Sequence, residues 1–387
     1  MPKPITKHKT KSKRRMKMSK DNETVAQAGA NNTASGEPIK TRVDFVLVLS
    51  AENANPNGDP GYDNRPRTDA YTGIGYMTDV CLKRKIRNRI EMTQKVSDGY
   101  DIWVRSGTYL RETLTDALKE IQAEAGYKAI DKKDAKALEA YERHRICQKF
   151  FDIRAFGGVL TSDSESGEGG PESTPGGEGK KPSKTGGKEP KSKVGQIRGP
   201  VSIQYAKSVA PIVVEDDEIT RVCPTKYDAT KPDKKTEMGR KKRVPFAVYV
   251  AKGSISARLA EGQKGTGFSE RDLGILKDAL KDLFAGDESA ARPAGSMIVQ
   301  SLVFFTHRSK DGDEAVHKTL DRVKVSLKPE FSDKPQQARS MDAYTLTLDE
   351  KDKPESLLIK ELVWSQAGRL QHKEDQAHAN ATRVGEA

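Results

Sequence analysis

The chain is predicted to be α+β, with a core compatible with a ferredoxin-like arrangement, the fold that RNA-recognition modules use. Three segments predict it. Arg42–Ser50, R-V-D-F-V-L-V-L-S, is apolar on both faces, as a central strand should be. Thr78–Met92 places Leu82, Ile86 and Ile90 at i, i+4 and i+8, the buried stripe of an amphipathic helix. Ser269–Phe284 repeats that logic with Leu273, Leu276, Leu280 and Leu283, and strands over Ile298–Phe305 and Val323–Leu327 follow it.

The remaining elements fall between these. Ser269 is an N-cap residue with Asp272 three positions on, the pattern of a capping box. Leu114–Ile121 and Ala135–Phe150 read as helices. Phe151–Leu160, Ile203–Val214 and Val244–Ala257 read as strands.

Composition narrows the partners. The chain has 387 residues and a net charge of +12, which favours nucleic acid or another anionic surface. Only 34% of residues are hydrophobic, because two low-complexity stretches dilute the folded part. Cys81, Cys147 and Cys223 are scattered and form no C-x-x-C pair, which points to a reducing cytosol and away from a zinc site or disulfide frame. No apolar run approaches the roughly 18 residues of a membrane span. The N-terminus, M-P-K-P-I-T-K-H-K-T-K-S-K-R-R, has no apolar region of the secretory kind. A cytoplasmic protein with no membrane partner is expected.

Residues 1 to about 40 read as a disordered basic extension, which either grips nucleic acid electrostatically or simply solubilises the chain. Residues from about 161 to 194 are rich in Gly, Ser, Glu and Lys and cannot bury a core; strand-like sequence on both sides makes them a surface insertion. What remains is enough for one large domain.

The richest stretch runs from Asn53 to Arg89. It reads N-A-N-P-N-G-D-P-G-Y-D-N-R-P-R-T-D, then T-G-I-G, then T-D-V-C-L-K-R-K-I-R-N-R. A loop dense in Asn, Gly, Pro and Asp between two well-specified elements is either a ligand-holding loop or a well-made connector. Thr78 sits at the start of the helix, where N–H groups and the dipole favour anions. Lys83, Arg84 and Arg87 share one face, with no acid at i+4 to pair Lys83, Arg84 or Lys85. Unpaired like charges on one face imply a missing polyanion, and Arg65 and Arg67 in the loop extend the patch.

A second basic cluster spans Arg221 to Arg243 and includes Lys226, Lys231, Lys234, Lys235, Arg240, Lys241, Lys242 and Arg243. Extended segments flank it, so it is either the arm of a long hairpin or a disordered basic loop. Met238 lies inside it, a soft apolar side chain able to wedge between stacked bases. Arg154–Leu160, R-A-F-G-G-V-L, has a faint aromatic-glycine strand character, with an ordinary strand bent at glycine as the default reading.

Catalytic signatures are sparse. His8, His144, His307, His317, His372 and His378 have no metal-like spacing, and His307 and His317 are expected at the surface of a polar turn. No nucleophile elbow, Walker loop or dinucleotide fingerprint occurs. Asp59, Asp63 and Asp69 could position a metal or a ribose hydroxyl, or could cap turns and pair with arginine. No cofactor and no metal site is expected.

Taken together, N-P-N-G-D-P, N-R-P-R-T-D, T-G-I-G and T-D-V-C-L-K-R-K-I-R resemble the Cas-seven backbone subunit of type I-C CRISPR Cascade complexes. F-F-D-I-R-A-F-G, Q-I-R-G-P-V-S-I-Q-Y, M-G-R-K-K-R-V-P-F, G-S-I-S-A-R-L-A, T-G-F-S-E-R-D-L and A-V-H-K-T-L-D-R-V-K-V match in the same order. The resemblance runs from about Val43 to Trp364. The basic tail and the insert before Gln196 depart from the family pattern.

The resemblance implies a modified ferredoxin-like (RNA-recognition-motif) palm over about 41–364, helical fingers over about 95–150, a thumb hairpin over about 215–250 and a C-terminal tail over 365–387. It implies copies stacked head to tail along one CRISPR guide RNA, partnered by Cas-five and Cas-eight type subunits. The loaded filament pairs with target DNA, and a separate recruited helicase-nuclease degrades that DNA. The resemblance also implies that the subunit itself is not an enzyme. Carried over residue by residue, the RNA-binding candidates are Asn57, Arg65, Arg67, Lys83, Arg84, Arg87, Gly157, Gly158, Met238, Arg240 and Lys241, with Thr78 added from its place at the helix start. The alternatives are an RNA-cleaving relative that uses a loop acid such as Asp59 or Asp69, and an independent single-stranded RNA-binding protein.

Overall fold

The computed structural model describes residues 36–160, 194–226, 230, 235–364 and 371–372. The expected N-terminal extension, the low-complexity insert and most of the C-terminal tail lie outside the described residues, as do Lys231 and Lys234 of the second basic cluster.

In chain order the main elements begin with β1 (Val43–Ala54), the short β2 (Gly58–Asp59) and β3 (Arg65–Pro66), β4 (Ile74–Met77) and α1 (Asp79–Thr93). Next come α2 (Leu110–Ala123), α3 (Ala135–Lys149), α4 (Phe151–Phe156), β5 (Gly157–Leu160) and β6 (Gly195–Arg198). Then follow β7 (Val201–Ile203), β8 (Ala206–Pro211), β9 (Glu215–Arg221), β10 (Glu237–Ile255) and α5 (Glu270–Lys281). The last are β11 (Met297–Thr306), β12 (Val323–Leu327), β13 (Tyr344–Leu348), β14 (Leu358–Trp364) and β15 (Gln371–His372). The architecture mixes helices with a mainly antiparallel sheet.

The elements form two compact units. The larger comprises Pro38–Gln94, Pro200–Gly262 and Phe268 onward. Its sheet runs β14-β11-β1-β10-β8-β4, with β7 and β9 also paired to β10. β1 lies between β10 and β11, which is why Val43 to Ala51 are buried without alternation. On one face Val46, Val48, Val248, Val303 and Phe305 pack with Leu346 and Leu348 of the smaller β12–β13 sheet. On the other, Gly253 is paired with Phe45, and a Cβ on Gly253 would sit 2.2 Å from the Phe45 ring. The ring takes the volume the glycine leaves open and stands 5.4 Å from Phe304.

α1 buries Leu82, Ile86 and Ile90 as its periodicity predicts and packs against α5. Each of these side chains contributes about 1.5–3 kcal/mol on burial. α5 begins at Ser269 with the expected reciprocal capping box to Asp272.

The other unit contains Lys95–Gly199 and Gln263–Gly267. α2 and α3 enclose a core of Leu114, Leu118, Ile121, Ile146, Phe150 and Ile153 beside Trp103 and the β5–β6 hairpin. The run Phe151–Leu160, expected as one strand, is divided: Phe151–Phe156 is the helix α4 and only Gly157–Leu160 is extended. The Asp152 carboxylate accepts the Trp103 and Val104 N–H groups at 2.9 and 3.1 Å, and the buried Arg154 donates to the Cys147 carbonyl at 2.6 Å. Both polar side chains are satisfied on a helix and would be orphaned on an inward strand face.

Candidate functional site

The Asn53–Thr78 stretch is a folded platform. Asn53, Asp63 and Asn64 adopt left-handed backbone at φ 49°, 51° and 54°, a region that Asn and Asp tolerate through local hydrogen bonds. β2 pairs with β3, and Asn55 Nδ2 donates to the Asn64 carbonyl at 2.6 Å across the base. Asp59 caps a short turn by accepting the Gly61 N–H at 3.0 Å, and it pairs with Arg67 at 2.9 Å. The Asp69 carboxylate accepts the N–H groups of Tyr71 and Thr72 and the Thr72 hydroxyl. The Thr72 N–H and the other donors hold Asp69 below the ordinary carboxylate range. Asp59 and Asp69 are thus engaged in shaping the loop.

Two predicted site residues meet directly. Asn57 Oδ1 accepts the Thr78 N–H at 3.0 Å and the Thr78 hydroxyl at 3.2 Å. Thr78 Oγ1 in turn accepts the Cys81 N–H at 3.2 Å, so Thr78 is the N-cap of α1. The loop therefore sets where the helix N-terminus points.

On α1, Lys83, Arg84 and Arg87 are half-buried and share the face expected of them. The absence of an acidic partner does not hold. Asp79, one turn N-terminal to Lys83, pairs with it at 2.8 Å. No acid stands four residues after Lys83, but one stands four before it, which is the favourable order on a helix. Arg84 Nη1 reaches Asn88 Oδ1 at 3.4 Å. Lys85 is buried against Asp287, with the Phe284 ring 5.4 Å away. Arg65 is exposed and Arg67 is half-buried.

The second basic cluster contains one strand of a hairpin. β9 is acidic where β10 is basic, and the register sets Glu215 against Arg243, Asp216 against Lys242, Asp217 against Lys241 and Glu218 against Arg240. Arg243 pairs with Asp217 at 2.6 Å and with Glu215 at 2.7 Å, and the Asp217 hydrogen bond raises its already high pKa. Arg240 and Glu218 lie 3.4 Å apart, both largely exposed. Met238, 65% exposed, stands opposite Thr220, whose hydroxyl is 3.6 Å from its sulfur.

Lys242 and Arg243 tie this hairpin to the loop. Lys242 Nζ reaches Asp63 Oδ2 at 2.5 Å, and Arg243 Nη1 donates to Asn53 Oδ1 at 2.6 Å. The Lys242 contact depresses the Asp63 pKa. Neither pair stood among the sequence candidates. The acidic run E-D-D-E a loop away from the basic run R-K-K-R is the signal for the hairpin; Asp63 is a sequence candidate for pairing with a basic side chain, and its partner is Lys242, far along the chain.

Gly157 and Gly158 belong to the other unit. Gly157 has φ +76°, and a Cβ there would lie 2.4 Å from the Ile197 carbonyl oxygen. At Gly158 a Cβ would meet the Trp103 ring at 3.0 Å. Strand pairing and packing within that unit account for both glycines.

His307, expected at the surface, is buried. Asp313 N–H donates to its Nδ1 at 2.9 Å, which leaves Nε2 to carry the proton and donate to Asp44 Oδ2, also at 2.9 Å. Arg42 Nε reaches the same carboxylate oxygen at 3.1 Å. Among the described residues no group of three or more His, Cys, Asp or Glu is placed to hold a metal ion, and no helix is long and apolar enough to cross a membrane.

The family model described as CRISPR-associated protein Cas7 matches residues 41–349. A curated CRISPR-associated protein Cas7 of Haloferax volcanii is 34% identical over 127 residues, 32% of this chain and 33% of that protein. The chain therefore aligns with about a third of that relative's length. Among solved structures, a chain of a CRISPR RNA-guided surveillance complex in a pre-nicking state is 14% identical, with a TM-score of 0.40 over 86% of this chain and 96% of that one. A chain of a second CRISPR RNA-guided surveillance complex is 12% identical, with a TM-score of 0.36 over 81% and 91%. The protein is of the CRISPR-associated class. It belongs to the Cas7 family.

Proposed function

We propose that the protein is the guide-RNA-binding backbone subunit of a type I-C Cascade complex. Copies stack head to tail along one CRISPR RNA and present it for pairing with complementary DNA. The observation that carries this reading is the family match across residues 41–349. The type I-C assignment rests on the motifs of the loop, the first helix and the hairpin. In this reading the larger unit holds a modified ferredoxin-like palm, β9 and the facing part of β10 form the thumb, and α2 and α3 belong to the fingers.

The chemistry fits a sequence-neutral grip. A guide's sequence varies, so a holder must use phosphate contacts that carry no base information. Asn57 and Thr78 orient the α1 N-terminus, a natural seat for a phosphate. Lys83, Arg84, Arg87 and the exposed Arg65 add charge beside it. A few phosphate contacts per copy, repeated along a filament, reach high affinity through effective concentration. Head-to-tail contact is heterologous and does not close, which yields an open filament.

The subunit is read as non-catalytic. The engagement of Asp59 with Gly61 and Arg67, and of Asp69 with Tyr71 and Thr72, favours this over the cleaving alternative. Magnesium-dependent cleavage of guide-paired RNA, lost in Asp59→Ala or Asp69→Ala, would overturn it.

The first test is purification from cells that carry a CRISPR array together with the Cas-five and Cas-eight type partners. Uniform spacer-containing RNA in a high-mass particle supports the reading. Nucleic-acid-free monomer, or heterogeneous cellular RNA on a monomer, refutes it.

A further inference from the structure

Resting on the guide-RNA reading, we infer that Tyr76 and Tyr205 form a base-stacking platform, flanked by Lys207, that takes nucleobases of the guide strand beside the start of α1.

The two rings stand 5.8 Å apart between centroids and 12° from parallel. Their position has a backbone cause. β7 pairs Ile203 with Gly253, and β8 pairs Lys207 with Val250. Residues 204, 205 and 206 therefore face only 251 and 252, which makes a β-bulge of one extra residue. The bulge takes Tyr205 out of strict alternation and sets it against Tyr76 of the neighbouring strand β4. Tyr205 remains 48% exposed, so the stacked pair is open to a ligand.

The surroundings select the ligand. Lys207 is the register partner of Tyr76, exposed, on the sheet face that carries Val209 and Val250. Lys207 also helps hold the Asp69 carboxyl below its ordinary range, after the hydrogen bonds from Thr72 and Tyr71. The platform is continuous with the proposed interface, because the Met77↔Ala206 pair places Tyr205 one step from the strand end that leads into Thr78. A flat pair of rings with a cation beside it, next to a helix N-terminus, is the recognition chemistry of single-stranded nucleic acid. Stacking is tolerant of sequence, because every base has a π-face, so it suits a strand whose sequence changes from guide to guide.

The test uses the intact chain loaded on guide RNA that carries single 2-aminopurine substitutions at successive positions. The wild type is expected to quench one position in each copy's repeat. Tyr205→Ala should abolish that quenching and weaken binding on the order of 5- to 100-fold, with the salt slope unchanged. Tyr205→Phe should restore both. Lys207→Ala should leave the quenching but flatten the salt slope by about 0.7, the share of one phosphate on a single strand. If Tyr205→Ala binds RNA and quenches like the wild type, the platform is wrong while the guide-RNA reading stands. A wild-type chain that binds no RNA overturns both.

Discussion

Asn57 Oδ1 accepts both the backbone N–H and the hydroxyl of Thr78, at 3.0 and 3.2 Å, and through Thr78 one loop amide fixes the first turn of α1. Asn57 and Thr78 are each sequence candidates for contact with RNA. Their mutual engagement makes them a positioning pair as well, and the two roles separate experimentally.

Asn57→Ala removes the acceptor from two donors. About 1–2 kcal/mol of stability should be lost, read as a lower denaturant midpoint at an unchanged slope. Asn57→Asp keeps the acceptor oxygen and should stay within about 0.5 kcal/mol of the wild type. An Asn57→Ala chain of wild-type stability would show that the helix start needs no clasp.

The basic face of α1 has a different signature. Changing Lys83, Arg84 and Arg87 together to Ala should leave the fold intact, since partly exposed helix pairs such as Lys83–Asp79 contribute only about 0.3–0.5 kcal/mol each and the apolar stripe of α1 is untouched. The logarithmic salt slope of RNA binding should fall by about 2, three phosphates at about 0.7 each. An unchanged slope in the folded triple variant would mean that this face only meets water.

Local pattern made β1, α1 and α5 legible, because periodicity and capping are written in adjacent residues. The ionic structure was not. The partner of Lys83 is Asp79, one turn before it rather than after, and the acids that face the β10 cations lie on β9, across a loop. Phe151–Phe156 is helical where its pattern predicts a strand, because an apolar run does not distinguish a short buried helix from a strand. What decides it is tertiary: Asp152 must reach the N–H groups of Trp103 and Val104. His307 is the same lesson at longer range, since its partner Asp44 is 263 residues away in sequence.

The hairpin's charge pairing leads to an asymmetric prediction. Glu218 and Arg240 are both 62% exposed, so their pair contributes little to stability, about 0–1 kcal/mol. Glu218→Gln should unfold at the same denaturant concentration yet bind guide RNA more tightly with a steeper salt slope, because Arg240 loses its internal competitor. Arg240→Ala should do the reverse. Equal RNA affinity in both variants would remove Arg240 from the interface.

The Arg42–Asp44–His307 cluster is structural. All three side chains are buried, and Arg42 also donates to the Glu314 carbonyl at 2.6 Å. Asp44→Ala leaves a guanidinium without its carboxylate and should cost about 3–5 kcal/mol. RNA affinity of the fraction that remains folded should match the wild type. A stable Asp44→Ala chain with impaired RNA binding would reassign the cluster to function.

The three cysteines grade the chain by depth and give a direct readout of the Asn57–Thr78 clasp. Cys223 is exposed, Cys81 is half-buried and Cys147 is buried. Burial pushes the Cys147 thiol up to about 12, so it stays protonated and unreactive throughout the neutral range. Burial also raises Cys81, though less. An alkylating reagent at pH 8 should label Cys223 first and Cys81 slowly, and should reach Cys147 only after denaturation. Cys81 donates its N–H to Thr78 Oγ1, and its thiol lies 4.0 Å from the Pro56 carbonyl, so it reports on both sides of the clasp. Asn57→Ala should therefore accelerate labelling at Cys81 and leave Cys223 and Cys147 unchanged. Acceleration at all three sites would mean that the substitution loosens the whole chain, and the clasp would lose its local role.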